Sequence, residues 1–188
     1  MASLPQVPFW FIRHGQTRYN QAGLVQGELD VSLNETGRAQ AERAGPLLVG
    51  KSITGIISSP LRRARETADI INQSLCLPIS DDAELREVSF GGKEGQPLAP
   101  WFQDWVAGRY TPESAESFAA LRARVEAALC RILAAQRGLP LIVAHGGVLR
   151  AVRDLMGLPR EEATGNAIPL YCAPEASGWR ITRMDEAA

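Results

Sequence analysis

The chain carries two histidines, and each one closes an apolar run and is followed at once by glycine. The first run reads Phe9-Trp10-Phe11-Ile12-Arg13-His14-Gly15, the second Leu141-Ile142-Val143-Ala144-His145-Gly146-Gly147. Short apolar runs that stop abruptly at glycine read as buried strands ending at a turn. In open α/β sheets, ligands bind just outside the carboxyl ends of such strands. Two strands of this kind can therefore deliver both imidazoles to one pocket.

The remaining periodicity fits that frame. Phe9–Ile12 is the first strand. Asn34 reads as an N-cap before a helix through Arg38, Ala41 and Leu47 that ends near Gly50. Gly55–Ser58 is a second strand. Ser59 as N-cap and Pro60 as first helical residue would open a helix reaching about Ser74. From Leu77 to Pro112 the pattern is irregular, with one short helix suggested by Trp101, Phe102 and Trp105; long excursions of this kind often build sites. Phe118, Leu121, Val125, Leu129 and Ile132 follow helical spacing, giving an amphipathic helix over 114–136. Leu141–Ala144 is a buried strand, Val148–Met156 a helix, and 168–172 and 179–184 are late strands. Strands alternating with helices predict a three-layer α/β/α sandwich on a mostly parallel sheet. The whole chain, 1–188, reads as one domain, with about 88–137 as a cap insertion.

Composition narrows the function classes. With 20 basic against 21 acidic residues, the chain has no electrostatic footprint for nucleic acid or an anionic membrane. No run reaches the ~18 apolar residues a bilayer span needs, and no signal peptide is evident at Met1–Pro8. Cys76, Cys130 and Cys172 are widely spaced, as in a reduced, cytoplasmic protein. No motif specifies an interface, so the oligomeric state stays open.

Three clusters can carry chemistry. Arg13 offers a fixed fork of donors for a phosphate or carboxylate, His14 an imidazole that is nucleophilic when neutral, and Gly15 a sharp turn; a solvated surface turn is the alternative. Arg62, Arg63 and Arg65 crowd a helix start, where cations oppose the helix dipole. An anionic ligand would account for them, as would pairing with Glu66 and nearby acids. Glu87 places a carboxylate on the irregular excursion, where a solvated glutamate is also ordinary. Two histidines with no cysteine partner and no tight spacing give little support for a metal site.

These residues resemble the histidine phosphatase superfamily, the phosphoglycerate mutase-like proteins. Arg13-His14-Gly15-Gln16-Thr17 with Asn20 is similar to the family's RHG(Q/E)TxxxN signature, and Gln26-Gly27 to the segment that follows it. Ser59-Pro60-Leu61-x-Arg63-Ala64-x-x-Thr67-Ala68 matches SPLxRAxxTA. Glu87-x-x-Phe90-Gly91 with Glu94-Gly95 matches ExxFGxxEG, Ala115-Glu116-Ser117 with Arg124-Val125 a weaker GES…RV block, and Val143-Ala144-His145-Gly146-Gly147-Val148-x-Arg150 matches V(S/A)HGGxxR. The blocks stand in order over residues 11–150. Lys93, Ala115 and Ser32 depart from the family's usual Trp, Gly and Pro, which bears on substrate shape rather than on chemistry.

The resemblance implies a mechanism. His14 would attack phosphorus and become a phosphohistidine. Arg13, Arg63 and His145 would bind the phosphoryl oxygens, with Gly146 adding a backbone N–H, Asn20 a side-chain donor, and Gln26 and Gly27 further contacts. Neighbouring cations keep His14 neutral. Glu87 would protonate the leaving oxygen and then deprotonate the hydrolytic water; arginines favour its ionised form, and a bound phosphate dianion favours its protonated one. Arginines replace a cation, so neither metal nor cofactor is required. Arg62 and Arg65 fall to the surface or behind the pocket.

A small-molecule phosphate ester is the expected partner. A phosphatase fits better than a mutase, because the insert is short and poor in cations, and Arg122, Arg124, Arg131 and Arg137 read as solvent-facing. Mutase-type phosphoryl transfer, a protein-phosphohistidine phosphatase and a non-catalytic phospholigand-binding module stay open as alternatives. Trp101, Phe102, Trp105 and Tyr110 either line the substrate entrance, which would suit an apolar or ring-bearing body, or form a small satellite core.

Overall fold

The computed structural model describes residues 4–135, 138–162 and 164–184. In chain order the elements are β1 (Phe9–Arg13), α1 (Arg18–Gln21), α2 (Glu35–Leu48), β2 (Ile53–Ser58), α3 (Arg62–Leu75), β3 (Ile79–Asp81), α4 (Trp101–Val106), α5 (Phe118–Ala135), β4 (Leu139–Ala144), α6 (Gly146–Leu155), β5 (Pro169–Glu175) and β6 (Gly178–Arg183). Single 3-10 turns occupy Ala83–Leu85 and Gly91–Lys93. The strands form one sheet in the order β3-β2-β4-β1-β5-β6. β3, β2, β4 and β1 run parallel, whereas β5 lies antiparallel to β1 and β6 antiparallel to β5.

Period-two alternation splits the core into two layers. Trp10 and Ile12 of β1, with Leu141 and Val143 of β4, pack against Ala41, Ala44 and Leu48 of α2 and Ala64, Ala68 and Ile71 of α3. The intervening residues Phe9, Phe11, Ile142 and Ala144 face the other way, toward Val125 and Leu129 of α5 and Val148 and Val152 of α6. Both faces of the central strands are covered, which is why their sequence is apolar without a break. The result is the α/β/α sandwich expected.

Register then places the site. β1 pairs with β4 so that Arg13 stands opposite Ala144, and the His14 amide donates to the Ala144 carbonyl at 2.9 Å. The residues that follow, His14 and His145, therefore leave the sheet side by side. β2 ends on the other side of β4, where the Ser59 amide donates to Val143.

Several boundaries differ from the sequence reading. α3 starts at Arg62, with Leu61 as a cap that makes no side-chain bond. Ser59 lies outside the cap position; its hydroxyl accepts from the Leu61 amide at 3.3 Å and bonds His145 at 2.7 Å, while Asp30 accepts from the Arg62 amide at 2.7 Å. β3 lies within the stretch expected to be irregular. It is a three-residue edge strand, half exposed, and carries no apolar run. α5 begins at Phe118 rather than 114. Among the described residues no helix is long and apolar enough to cross a membrane.

Candidate active site

The loop that carries His14 is tied down at almost every residue. The Gly15 amide donates to Thr67 Oγ1 at 3.0 Å, and that hydroxyl donates back to the Arg63 carbonyl one helical turn earlier at 2.7 Å. The Gln16 amide donates to Gln40 Oε1, and the Asn34 amide and side chain donate to Gln16. Thr17 and Asn20 form a capping box at the head of α1, and Asn166 Nδ2 donates to the His14 carbonyl at 2.9 Å. Gly15 has no room for a side chain, since a Cβ there would collide with the Gly37 carbonyl.

His14 and His145 are both buried, with ring centroids 5.2 Å apart. His14 Nδ1 lies 2.7 Å from the Gly15 carbonyl. A carbonyl only accepts, so Nδ1 carries the proton and Nε2 holds a free lone pair. Burial pushes the His14 pKa well below 6.5, and Arg63 and Arg13 push it further. His145 is lowered for the same reasons, burial first and Arg63 next. Both rings are thus neutral near pH 7. His145 Nε2 shares a 2.7 Å bond with Ser59 Oγ, and its backbone caps α6.

Arginines surround the imidazoles. Arg63 is fully buried and donates to the Gly27 and Leu29 carbonyls, each at 2.7 Å; burial lowers it to about 10, with Glu87 and Asp30 opposing. Arg13 donates to the Thr164 carbonyl at 3.0 Å. Arg150 stacks over the Phe102 ring at 5.4 Å. The Glu87 carboxylate accepts from the Gly147 and Val88 amides, both at 3.0 Å, which sets it at the head of α6. Among the described residues, five buried side-chain nitrogens have no hydrogen-bond partner, and three of them, Arg13 Nε, Arg63 Nε and His145 Nδ1, belong to this constellation. Unpaired buried polar atoms are costly.

A cleft of about 340 Å³ opens over these groups. It is lined by Arg13, His14, Asn20, Gln26, Gly27, Glu87, Gly146 and Gly147, and its outer wall by Leu24, Val25, Phe90, Leu98 and Phe102. The sequence-selected residues therefore converge on one place, Arg63 and His145 from just behind its surface. Gln26 and Gly27 are tied to their neighbours: Gln26 Oε1 accepts from Thr17 Oγ1 at 2.8 Å, and the Gly27 carbonyl accepts from Arg63. Four contributors went unassigned in the sequence. Ser59, Thr67 and Arg150 stand inside quoted blocks without a role of their own, Ser59 being also the expected helix cap; Asn166 lies past the last block and carries no signal.

Several of the remaining arginines pair with acids. Arg62 pairs with Asp30, and Arg65 with Asp69 and Asp81, whereas Glu66 accepts from the Leu33 amide. Arg122 pairs with Glu126 and Asp154 and Arg131 with Asp82. Arg124 does not face solvent as expected, being held against the loop before Glu87; Arg137 lies outside the described residues. Of the aromatic insert, Trp105 is buried in the core and Phe102 lines the cleft, while Tyr110 is exposed. Among the described residues no cluster of three or more His, Cys, Asp and Glu side chains is placed to hold a metal ion.

Residues 9–183 match the histidine phosphatase superfamily (branch 1), and the chain belongs to that family of enzymes. It is 35% identical over 142 residues to the uncharacterized phosphatase PhoE of Bacillus subtilis, covering 75% of this chain and 72% of that protein. It is 36% identical over 162 residues to GpmB of Yersinia pestis, a "probable phosphoglycerate mutase", covering 80% and 75%. The mycobacterial glucosyl-3-phosphoglycerate phosphatase Rv2419c, solved with VO3, superposes with a TM-score of 0.84 at 29% identity over 96% of this chain and all of that one.

Proposed function

We propose that the protein is a metal-independent phosphatase that hydrolyses a small-molecule phosphate monoester through a phosphohistidine on His14. The observation that carries this reading is the His14 ring itself: buried, neutral, its Nδ1–H fixed on the Gly15 carbonyl, and its Nε2 lone pair left for the cleft.

Cleavage of a monoester needs an in-line nucleophile, neutralised equatorial oxygens and a proton for the leaving alkoxide. His14 Nε2 attacks phosphorus as the P–O bond to the leaving group breaks. Arg13, Arg63 and His145 Nδ1 hold the equatorial oxygens, with the Gly146 amide at the head of α6 and Asn20 beside them. Glu87 gives its proton to the departing oxygen. A water then returns a proton to Glu87 and attacks the phosphohistidine, releasing phosphate and the neutral imidazole. Two arginines supply the positive charge that a metal supplies elsewhere, so no cation is needed.

The apolar outer wall suits an ester whose alcohol has an apolar or ring-bearing body. The cleft volume is in the range of small-molecule sites, about 300–1,000 Å³, which favours such a substrate over a phosphoprotein. Residues 1–188 act as one domain on this reading, and the presence of β1 and β6 in one sheet supports it; of the expected cap, about 88–137, α5 packs on the sheet through Val125 and Leu129, which leaves the segment before Phe118 as the part that covers the cleft. The unpaired cysteines support a reducing, cytoplasmic setting.

The test is phosphate release from a panel of monoesters, aryl, sugar and nucleotide phosphates and 3-phosphoglycerate, with EDTA present. Release that disappears in His14→Ala is the expected result. Conversion of 3-phosphoglycerate to its isomer without phosphate release would overturn it in favour of a mutase.

A further inference from the structure

The block around Glu116 and Arg124 plays no part in the chemistry above, and Arg124 does not line the cleft. It nevertheless makes five hydrogen bonds. Nη1 donates to the carbonyls of Glu84 at 2.6 Å and Arg86 at 2.8 Å, and Nη2 to that of Glu87 at 3.2 Å. Nε and Nη2 also grip the two carboxylate oxygens of Glu116 at 2.7 and 2.8 Å. The two side chains keep only 19% and 18% of their exposure, a setting in which a charge pair persists only when its hydrogen bonds are complete.

The segment it grips needs such help. Residues 86–90 belong to no helix or strand, so their carbonyls have no regular partners, and backbone polar groups away from water must find one. Only a planar fork of donors can serve three carbonyls and a carboxylate at once. Glu116 is fixed in turn, its amide donating to Ser89 at 2.7 Å and its carbonyl accepting from Trp105 Nε1 at 2.9 Å. The assembly joins α4, α5 and the Glu87 segment, and Glu87 then reaches across to the Gly147 amide.

We propose that Arg124, locked by Glu116, is a positioning residue that holds Glu87 within reach of the departing oxygen; this rests on the acid role given to Glu87 above. A general acid works only at hydrogen-bond distance and contributes about 10²–10⁴-fold, and a misplacement of about 1 Å can cost roughly 10²-fold. Loss of the clamp therefore acts selectively. It slows esters whose leaving oxygen needs a proton and spares those whose leaving group departs as a stable anion.

The experiment measures single-turnover phosphoenzyme formation across esters from dinitrophenyl phosphate to alkyl phosphates, in the parent, Arg124→Met, Arg124→Lys, Glu116→Gln and Glu87→Gln. Glu87→Gln should steepen the dependence on leaving-group basicity. Arg124→Met should steepen it in the same sense, about 10²-fold slower on alkyl phosphates and within about threefold on dinitrophenyl phosphate. Arg124→Lys and Glu116→Gln should fall between, and they carry the test if Arg124→Met does not fold. A steep Glu87→Gln profile beside Arg124 and Glu116 profiles parallel to the parent overturns the clamp alone. A Glu87→Gln profile parallel to the parent overturns the acid assignment and the clamp with it.

Discussion

The rings of His14 and His145 lie 5.2 Å apart, centroid to centroid, both buried and both held neutral by burial and by arginine. This couples the site to stability. Each imidazole has a folded pKa well below 6.5, near which it titrates in the unfolded chain. Their contribution is complete above about pH 6.5 and is lost as pH falls, because the unfolded chain takes up protons that the native state refuses. Two such groups give a slope approaching about 2.7 kcal/mol per pH unit. Denaturant melts between pH 7 and 5.5 should show that decline, and His14→Asn combined with His145→Gln should flatten it. An unchanged slope in the double variant sinks the assignment.

The three orphaned nitrogens Arg13 Nε, Arg63 Nε and His145 Nδ1 predict that an inorganic anion stabilises the free protein. A ligand at 100 times its Kd adds about 2.7 kcal/mol, or roughly 5–10 °C in Tm for a domain of this size. Phosphate or vanadate should produce that shift, and Arg63→Met should abolish it. A Tm indifferent to both anions would remove the cleft as an oxyanion site.

Much of this was legible in the sequence, for identifiable reasons. β1 and β4 are covered on both faces, so their runs are apolar throughout and end where the chemistry begins. The resemblance blocks named His14 and Glu87, which line one cleft, and Arg63 and His145, which are buried behind it. What the sequence hid is what tertiary contact decides. Ser59 has the look of a helix cap, but beside the Leu61 amide its hydroxyl also reaches His145, a contact only the fold creates. Arg124 sits at a polar position of a helix, and nothing local shows that a loop packs over it. Asn166 lies in a turn without periodicity, and only the return of the chain beside β1 brings it to the His14 carbonyl.

The aromatic insert divides by role. Trp105 is fully buried among Phe90, Phe102 and Phe118, so Trp105→Ala should cost about 3–5 kcal/mol and lower Tm. Phe102 shares the cleft wall with Leu98 and Arg150. Phe102→Ala should raise KM for aryl phosphates several-fold more than for glycerol phosphate. Equal KM changes on both esters would show that this wall does not touch the substrate.

Gly37 sits in the first turn of α2, its amide donating to Asn34 Oδ1 at 2.8 Å. By helix propensity alone, alanine there should stabilise by about 1 kcal/mol. The packing predicts the opposite sign: a Cβ at Gly37 would collide with the Gln16 backbone, just as one at Gly15 would collide with the Gly37 carbonyl. Both partners are backbone, so neither can swing aside, and overpacking of this kind costs about 1–3 kcal/mol. Relief requires the Gln16 segment to move, and His14 moves with it. Gly37→Ala should therefore lower Tm and reduce kcat by about 10- to 100-fold. Gly92→Ala, with open space around its Cα, should stay within about 0.5 kcal/mol of the parent. A Gly37→Ala protein as stable and as active as the parent would show that this glycine contact does not set the position of the nucleophile.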